Sequence, residues 1–190
     1  DPSPYYISDA SGRIPHLAFV MFQGMFAVIT PAVISGAFAE RMKFSAYLAF
    51  IVGWLFLVYI PVTHMMWSSG GLFATMGLAD FAGGTVVEIN SGFAALAAAL
   101  YIGRRSNLKS TPPHDLTYTL SGAAMLWFGW FGFNAGSGLA ADGLAAVAFL
   151  NTNLAAAAAA CIWAVLDWKL QARPTILGFA TGGVAGLVAI

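Results

Sequence analysis

The chain has 190 residues, of which 59% are hydrophobic and only 8% are charged, and its formal net charge is zero. A soluble domain of ordinary composition carries about 25% charged residues, so this composition, with a mean hydropathy of +0.79, predicts an integral membrane protein. The low content of basic residues excludes a nucleic-acid-binding surface. The single cysteine, Cys161, lies in an apolar run, which excludes disulfides and a cysteine-ligated zinc site.

Charged residues divide the chain into apolar segments that predict membrane-spanning helices. Residues 14–39 contain no Asp, Glu, Lys or Arg, and neither do residues 44–79, where the polar residues 68–71 offer an exit from a first helix. Further segments follow at 80–103, 116–141, 143–166 and 175–190. A spanning helix needs about 20 residues. The predicted fold is therefore all-α, a polytopic transmembrane bundle of five complete helices and one partial helix. The alanine run at 155–160 predicts a face for tight helix packing.

The basic residues predict the orientation of the chain in the membrane. Seven of the eight Lys and Arg residues fall in three alternate loops: Arg41 and Lys43; Arg104, Arg105 and Lys109; and Lys169 and Arg173. Loops enriched in Lys and Arg remain in the cytoplasm. Residues 1–13, residues 68–80 and the region around Asp142 are then outside. We expect a multi-pass protein of the plasma membrane.

Two carboxylates stand out in the segment 80–103. Glu88 lies inside an apolar span, where carboxylates are costly and face a cavity, a partner or an ion path. If the helix begins near Asp80, Glu88 lies about 12 Å deeper, at 1.5 Å per residue. Glu88 is then either a structural carboxylate paired with a neighbouring helix or a pore-facing proton or cation group. Asp80 suits a helix cap, and a fixed anion there also suits the positioning of a cation.

Four motifs, in the same order along the chain, resemble the signature segments of ammonium transporters of the Amt/Mep/Rh family. They are FAERMKFS at 38–45, YIPVTHMMW at 59–67, DFAGGTVVEINSG at 80–92 and GWFGFNAGS at 129–137. The resemblance covers essentially the whole chain. It implies a single domain fragment, 1–190, that runs from the third helix to the start of the eighth in an eleven-helix inverted-repeat fold. The chain also begins without methionine and ends in a short apolar run, so we expect an internal fragment of a longer protein.

The resemblance also implies roles for individual residues. Phe26, Trp67 and Ser137 match the residues of an outer ammonium recruitment site, with Phe22 close by, and Phe26 and Phe133 match a stacked phenylalanine gate. A cation over an aromatic face gains about 0.5–2 kcal/mol, and a serine oxygen can accept an N–H bond. Without the resemblance, these phenylalanines are interpreted as core residues, and Trp67 as a membrane-interface residue.

The chain departs from the family pattern at the pore. Family members usually carry two contacting histidines there, one from the fifth helix and one from the tenth. The fifth-helix position here is Glu88, as in certain fungal members that this sequence resembles. His16, His64 and His114 lie toward the outer side or in a loop and do not substitute. A carboxylate and an imidazole can share a proton as a coupled pair. Our hypothesis is that Glu88 and a histidine outside this chain relay the proton taken from ammonium.

The leading interpretation is transmembrane transport of ammonium, in which ammonia crosses an apolar pore while Glu88 relays the proton. The alternative is a membrane-embedded ammonium sensor. An enzyme or a haem- or quinone-binding bundle fits poorly, because no nucleophile–base constellation and no facing histidine pair is present in the sequence. The resemblance further implies ammonium and methylammonium as substrates, a homotrimer with one pore in each subunit, and regulation by a PII-type signal protein. No cofactor and no metal ion are expected.

Overall fold

The computed structural model describes residues 14–105 and 112–190, in two compact units: unit 1 (Asp1–Leu108) and unit 2 (Lys109–Ile190). Unit 1 contains α1 (His16–Ile34), a 3-10 turn (Ser35–Ala37), α2 (Phe44–Trp54), a first π segment (Leu55–Tyr59), α3 (Ile60–Trp67), α4 (Leu72–Thr75), a second π segment (Gly84–Ile89) and α5 (Asn90–Ile102). Unit 2 contains α6 (Leu116–Asn134), a 3-10 turn (Gly136–Gly138), α7 (Gly143–Gln171) and α8 (Ile176–Val188). The predicted all-α class is confirmed. Lys109, one of the predicted loop cations, lies outside the described residues.

The predicted spans are present as helices, with two differences. Four helical stretches of the described chain are long and apolar enough to cross a membrane: His16–Ala37, Phe44–Thr75, Gly84–Ile102 and Gly143–Gln171. The expected span at 116–141 forms α6, but its Thr, Gly and Trp residues make it less apolar than these four. The segment 80–103 becomes helical only at Gly84, so the expectation that this helix begins near Asp80 is wrong by four residues.

Polar residues between the apolar segments cap the helices of unit 2. The Asp115 side chain accepts hydrogen bonds from the backbone N–H groups of Thr117 and Tyr118 at 2.7 and 3.2 Å. Asp142 caps α7 in the same way, and the Thr175 hydroxyl accepts a bond from the N–H of Gly178 at 2.9 Å. The first N–H groups of a helix have no partner within the helix, so these side chains determine where each helix begins.

In unit 1, a guanidinium joins the C-terminal ends of two helical elements. Arg41 Nη1 donates to the carbonyl oxygen of Gly103, just after α5, at 2.5 Å. Its Nη2 donates to the carbonyl of Ala37, in the turn that follows α1. Beside this clamp, the Arg105 guanidinium pairs with the Glu40 carboxylate at 3.3 Å. Two of the three loops that were predicted to be cytoplasmic therefore lie at the same end of unit 1, and the side of the membrane they face stays a prediction.

In unit 2, α7 and α8 approach each other closely through small residues. A Cβ atom added to Gly182 would lie 2.7 Å from the carbonyl oxygen of Ala159, and one added to Gly186 would lie 2.6 Å from the Cα atom of Ala156. Within a bilayer, helices associate by such close packing, because lipid removes the hydrophobic driving force between them. The prediction that the alanine run forms a packing face is confirmed.

A buried amide connects all three helices of unit 2. Asn134 Nδ2, at the end of α6, donates to Thr152 Oγ1 of α7 at 3.0 Å and to the carbonyl of Leu187 in α8 at 3.1 Å. The Thr152 hydroxyl donates in turn to Ala148 O at 2.6 Å. Each buried polar group of this network therefore has a partner, as buried polar groups require.

Candidate functional site

Three of the predicted recruitment residues form an aromatic cluster in unit 1. The ring centroids of Phe22 and Phe26 are 4.9 Å apart, and those of Phe26 and Trp67 are 5.6 Å apart, both in edge-to-face geometry. Phe26 is buried, whereas Phe22 and Trp67 are half-buried. Edge-to-face pairs present the negative face of one ring beside the positive edge of the next. The half-buried rings are thus available for a cation–π contact.

Asp80 holds this cluster in place through its backbone and its side chain. Its carbonyl oxygen accepts the indole N–H of Trp67 at 2.9 Å. Its carboxylate accepts three backbone N–H bonds, from Gly83 at 2.6 Å, Thr85 at 2.8 Å and Val86 at 3.0 Å. The carboxylate therefore draws residues 80–83 into a turn, which explains why the helix begins later than expected. These are the capping contacts expected of Asp80, and its role in attracting a cation stays a prediction.

Gly83 gives the start of the second π segment a backbone conformation and a close contact with Val87 that a side chain would disturb. Its φ of +111° lies in the region that favours glycine. An added Cβ would lie 2.8 Å from Val87 Cγ2 and 3.6 Å from Phe26 Cδ1. Sequence reasoning did not single out Gly83. The signal that could have identified it is a glycine pair three residues after a capping aspartate.

Glu88 lies within the second of the two π segments that interrupt regular α-helix in the described part of unit 1. The N–H groups of Val87 and Glu88 both donate to Gly83 O, at 2.6 and 3.1 Å, so the turn at Glu88 is one residue wider than an α-turn. Such π turns are frequent at functional sites. The Glu88 side chain is half-buried, and its Oε1 atom is enclosed without a hydrogen-bond partner among the described residues. Unit 1 therefore leaves this carboxylate incompletely satisfied.

Unit 2 carries the remaining two predicted site residues. The Ser137 hydroxyl donates to the carbonyl of Phe133, four residues earlier, at 2.6 Å. The Phe133 ring stacks on Trp130 with centroids 4.5 Å apart. Because the Ser137 proton is directed into the backbone, its oxygen lone pairs remain available to accept an N–H bond. The structure brings Phe133 and Ser137 together in unit 2, and Phe22, Phe26, Trp67 and Asp80 together in unit 1.

The three histidines do not form a site within the described residues. His16, His64 and His114 are all exposed. Across residues 14–105 and 112–190, the structure contains no group of three or more His, Cys, Asp or Glu side chains that could hold a metal ion. The candidate site residues are therefore aromatic rings and two carboxylates in unit 1, and an aromatic ring and one serine in unit 2.

The sequence model of the Ammonium Transporter Family matches residues 6–190 of the chain. The chain belongs to this family. Its relatives include the ammonium transporter of Bacillus subtilis, 53% identical over 182 residues, and the ammonium transporter Amt1 of Archaeoglobus fulgidus, 49% identical over 176 residues. These alignments cover 96% and 92% of this chain but only 45% and 44% of the relatives. The chain thus spans less than half the length of the relatives it matches.

The same fold is present in solved structures of fungal proteins. The crystal structure of Candida albicans Mep2 matches with a TM-score of 0.87 and 37% identity, over 95% of this chain and 41% of that one. Saccharomyces cerevisiae Mep2 also matches with a TM-score of 0.87, at 36% identity. As a member of the ammonium transporter family, this chain is a multi-pass membrane protein, and the predicted family and fold are both confirmed.

Proposed function

We propose that the full-length protein of which this chain is a part transports ammonium across the plasma membrane. The support is membership of a family whose relatives are named ammonium transporters, together with an aromatic cluster built onto a capped helix start. Methylammonium is the expected second substrate, since it carries the same ammonium charge.

Recruitment begins at the aromatic cluster. The proposed site keeps the residues that the family resemblance implies: Phe26 and Trp67, with Phe22 close by, provide aromatic rings for a cation–π interaction with ammonium, and the Ser137 oxygen accepts an N–H bond. The observation that carries this step is the hydrogen bond from the indole N–H of Trp67 to the carbonyl oxygen of Asp80, which fixes the orientation of the ring. A ring in a fixed orientation presents its face to the ion without first losing conformational entropy. The nearby Asp80 charge adds long-range attraction for cations.

Transfer across the membrane requires separation of the proton from ammonia, because a charged ion is costly in an apolar pore. Phe26 and Phe133 act as the gate, and Glu88 accepts the proton and relays it with a histidine from the remainder of the protein. The support for this role is the position of Glu88 in a π turn and its enclosed oxygen without a partner among the described residues. A carboxylate in that state has capacity for a proton.

The topology and the assembly follow from the same proposal. The loops with Arg41 and Lys43, with Arg104 and Arg105, and with Lys169 and Arg173 face the cytoplasm. The full-length protein forms a homotrimer with a pore in each subunit, and a PII-type protein binds at the cytoplasmic side. Lys43→Cys and Leu78→Cys test this orientation in sealed vesicles. We expect a membrane-impermeant label to reach residue 43 only from the cytoplasmic side and residue 78 only from the outer side.

The test of function is ammonium-evoked current in proteoliposomes that contain the full-length protein, unmodified or with Glu88→Gln. We expect a current that saturates with ammonium, and a changed pH profile in Glu88→Gln because the amide cannot accept the proton. Glu40→Gln is the matched control, since it makes the same change at an exposed carboxylate of unit 1. An unchanged pH profile in Glu88→Gln contradicts the relay role. A folded protein that binds ammonium without current indicates a sensor instead.

A further inference from the structure

Two side chains at the end of the second π segment donate hydrogen bonds back into it. Asn90 Nδ2 donates to the carbonyl of Val86, and Ser91 Oγ donates to the carbonyl of Glu88, both at 3.2 Å. Ser91 is only 5% exposed, and Asn90 is half-buried. Both residues belong to the first turn of α5, directly after the π segment. The turn that contains Glu88 is therefore held from the α5 side by side chains.

The Asn90 side chain takes the place of a backbone hydrogen bond that the π turn displaces. In an α-helix, the N–H of Asn90 would donate to the carbonyl of Val86, four residues earlier. Here it donates to the carbonyls of Thr85 and Val87, five and three residues earlier. The side-chain amide of the same residue donates to the Val86 carbonyl instead. Asn90 thus stabilises the wider turn at the point where regular α-helix begins.

The Ser91 hydroxyl holds the backbone of Glu88 itself. Buried polar groups need a hydrogen-bond partner, and the partner of this hydroxyl is the Glu88 carbonyl, three residues earlier. Hydrogen bonds from serine to a preceding carbonyl compete with the regular helix and change its local geometry. Because the side-chain rotamers open to a residue depend on its backbone angles, this bond also limits the directions in which the Glu88 carboxylate can point.

We propose that Asn90 and Ser91 are positioning residues for Glu88. They hold the π turn and thereby direct the Glu88 carboxylate to the place where it exchanges a proton. This role rests on the proposed function, in which Glu88 relays the proton taken from ammonium. Proton transfer requires the carboxylate to lie within hydrogen-bond reach of its partner. A change in the turn therefore slows transfer and leaves the recruitment of ammonium at the aromatic cluster intact.

The titratable groups around Glu88 allow the pH profile to report on this carboxylate. The helices packed most closely against the second π segment are α1, α3 and α5. Their titratable side chains are His16, His64 and Tyr101, which are all exposed. Among the described residues, the charged group that interacts with Glu88 is Asp80. None of the variants below alters Asp80 or the three N–H groups that it binds.

The first experiment is ammonium-evoked current in proteoliposomes that contain the full-length protein with Ser91→Ala. We expect the maximal current to fall about fivefold, the effect of one lost hydrogen bond, and the pH profile to change. The ammonium concentration at half-maximal current should stay the same. Ser35→Ala is the matched control, because it removes an equivalent bond to a carbonyl three residues earlier, at an exposed position. An unchanged pH profile in Ser91→Ala overturns the proposal.

The same variant in a Glu88→Gln background separates positioning from the relay itself. If Ser91 acts through Glu88, Ser91→Ala has no further effect on the current of Glu88→Gln. A fivefold loss in both backgrounds overturns the proposal. If Glu88→Gln leaves the pH profile unchanged, the relay role fails. If Glu88→Gln changes the profile and Ser91→Ala does not, the relay role stands and the positioning role is wrong.

A structural test does not depend on transport. Asn90→Leu/Ser91→Ala removes both donors, and leucine is close to asparagine in size and favours helix, so the full-length protein should remain folded. In a cryo-electron microscopy structure of this variant, we expect residues 84–89 to tighten to α-helical turns and the Glu88 carboxylate to change direction. Ser35→Ala should leave both unchanged. A π turn and a Glu88 orientation that persist in the double variant overturn the proposal.

Discussion

The helices within unit 2 are held together in a different way from the helices within unit 1. In unit 2, α8 lies so close to α7 that side chains are excluded at Gly182 and Gly186, and Asn134 completes a hydrogen-bond network among three helices. In unit 1, the Asp80 carbonyl oxygen binds the indole N–H at the end of α3 while its carboxylate caps the second π segment, and Arg41 joins the turn after α1 to the end of α5. Of the five buried side-chain atoms without a partner among the described residues, four lie in unit 1.

This difference in packing and hydrogen bonding predicts that the two units respond to different kinds of mutation. A close backbone contact leaves no space for a polar molecule, and a satisfied network offers nothing to bind. The unpaired groups of unit 1 lower its stability, and they persist where the surrounding structure enforces them, as at functional sites. Unit 2 is therefore expected to respond to added volume, and unit 1 to the loss of charge or of a special backbone conformation.

The largest effect is expected in the α7–α8 contact. Gly186→Ala places a methyl group against the backbone of Ala155 and Ala156, and backbone atoms cannot move aside as a side chain can. We expect a loss of about 3 kcal/mol or more in the free energy of unfolding, measured by thermal or denaturant unfolding of the full-length protein. Gly183→Ala is the control in the same helix, since its Cβ meets only the ring edge of Trp127 at 3.3 Å. Equal losses in both variants would disprove the backbone contact.

A smaller effect is expected from loss of the clamp in unit 1. Arg41→Gln removes the charge that is hydrogen-bonded to Gly103 and Ala37, and bonds to charged groups contribute about 2 kcal/mol each. We expect a loss of about 2 kcal/mol in unfolding free energy, mainly from the part-buried bond to Ala37, because the bond to Gly103 is exposed and contributes less. Arg105→Gln removes an exposed ion pair with Glu40 and should cost at most about 0.5 kcal/mol. If both arginines prove equally dispensable, the clamp contributes nothing to stability.

The smallest change in stability, with a clear effect on transport, is expected at Gly83. Gly83→Ala puts a side chain at a φ of +111° and a methyl group 2.8 Å from Val87 Cγ2. We expect a loss of about 1–2 kcal/mol and a reduced ammonium-evoked current, because the Val87 side chain, next to Glu88, must shift. At Gly84 an added Cβ meets nothing within 4 Å, so Gly84→Ala should leave the current near its original value. A normal current in Gly83→Ala would show that the backbone conformation at Gly83 and the position of Val87 are not critical for transport.

Much of this architecture could be predicted from the sequence, because charged residues are rare enough to mark the ends of the spans. Trp67 ends α3 immediately before the polar residues that were expected to end it, and α7 begins one residue after Asp142. The family and the fold class also follow from motifs that occur in one order along the chain. Where a capping side chain lies directly before a helix, as Asp142 does, the predicted and observed helix boundaries agree.

The prediction was wrong where a cap acts at a distance. Asp80 was expected at the first turn of a helix, but its carboxylate reaches Thr85 and Val86, and the intervening residues form a turn. The two π segments were not predicted at all. Their position is hidden because the surrounding sequence is apolar on every face, so no change in hydrophobic periodicity marks the extra residue. The Arg41 clamp was also missed, since its acceptors are backbone carbonyls, which carry no sequence signal.

In the second π segment, a single extra residue sets the rotation of Asp80 about the helix axis relative to α5. A π turn adds one residue to an α-helical turn, and each residue of an α-helix advances the chain by about 100° around the axis. Deletion of one residue between Gly84 and Glu88 would restore a regular helix without breaking it. It would also rotate Asp80 and its aromatic neighbours away from the face on which α5 now carries them. Relatives that differ in length here by one residue would therefore present a different side chain on this face of the helix, although every flanking motif still aligned.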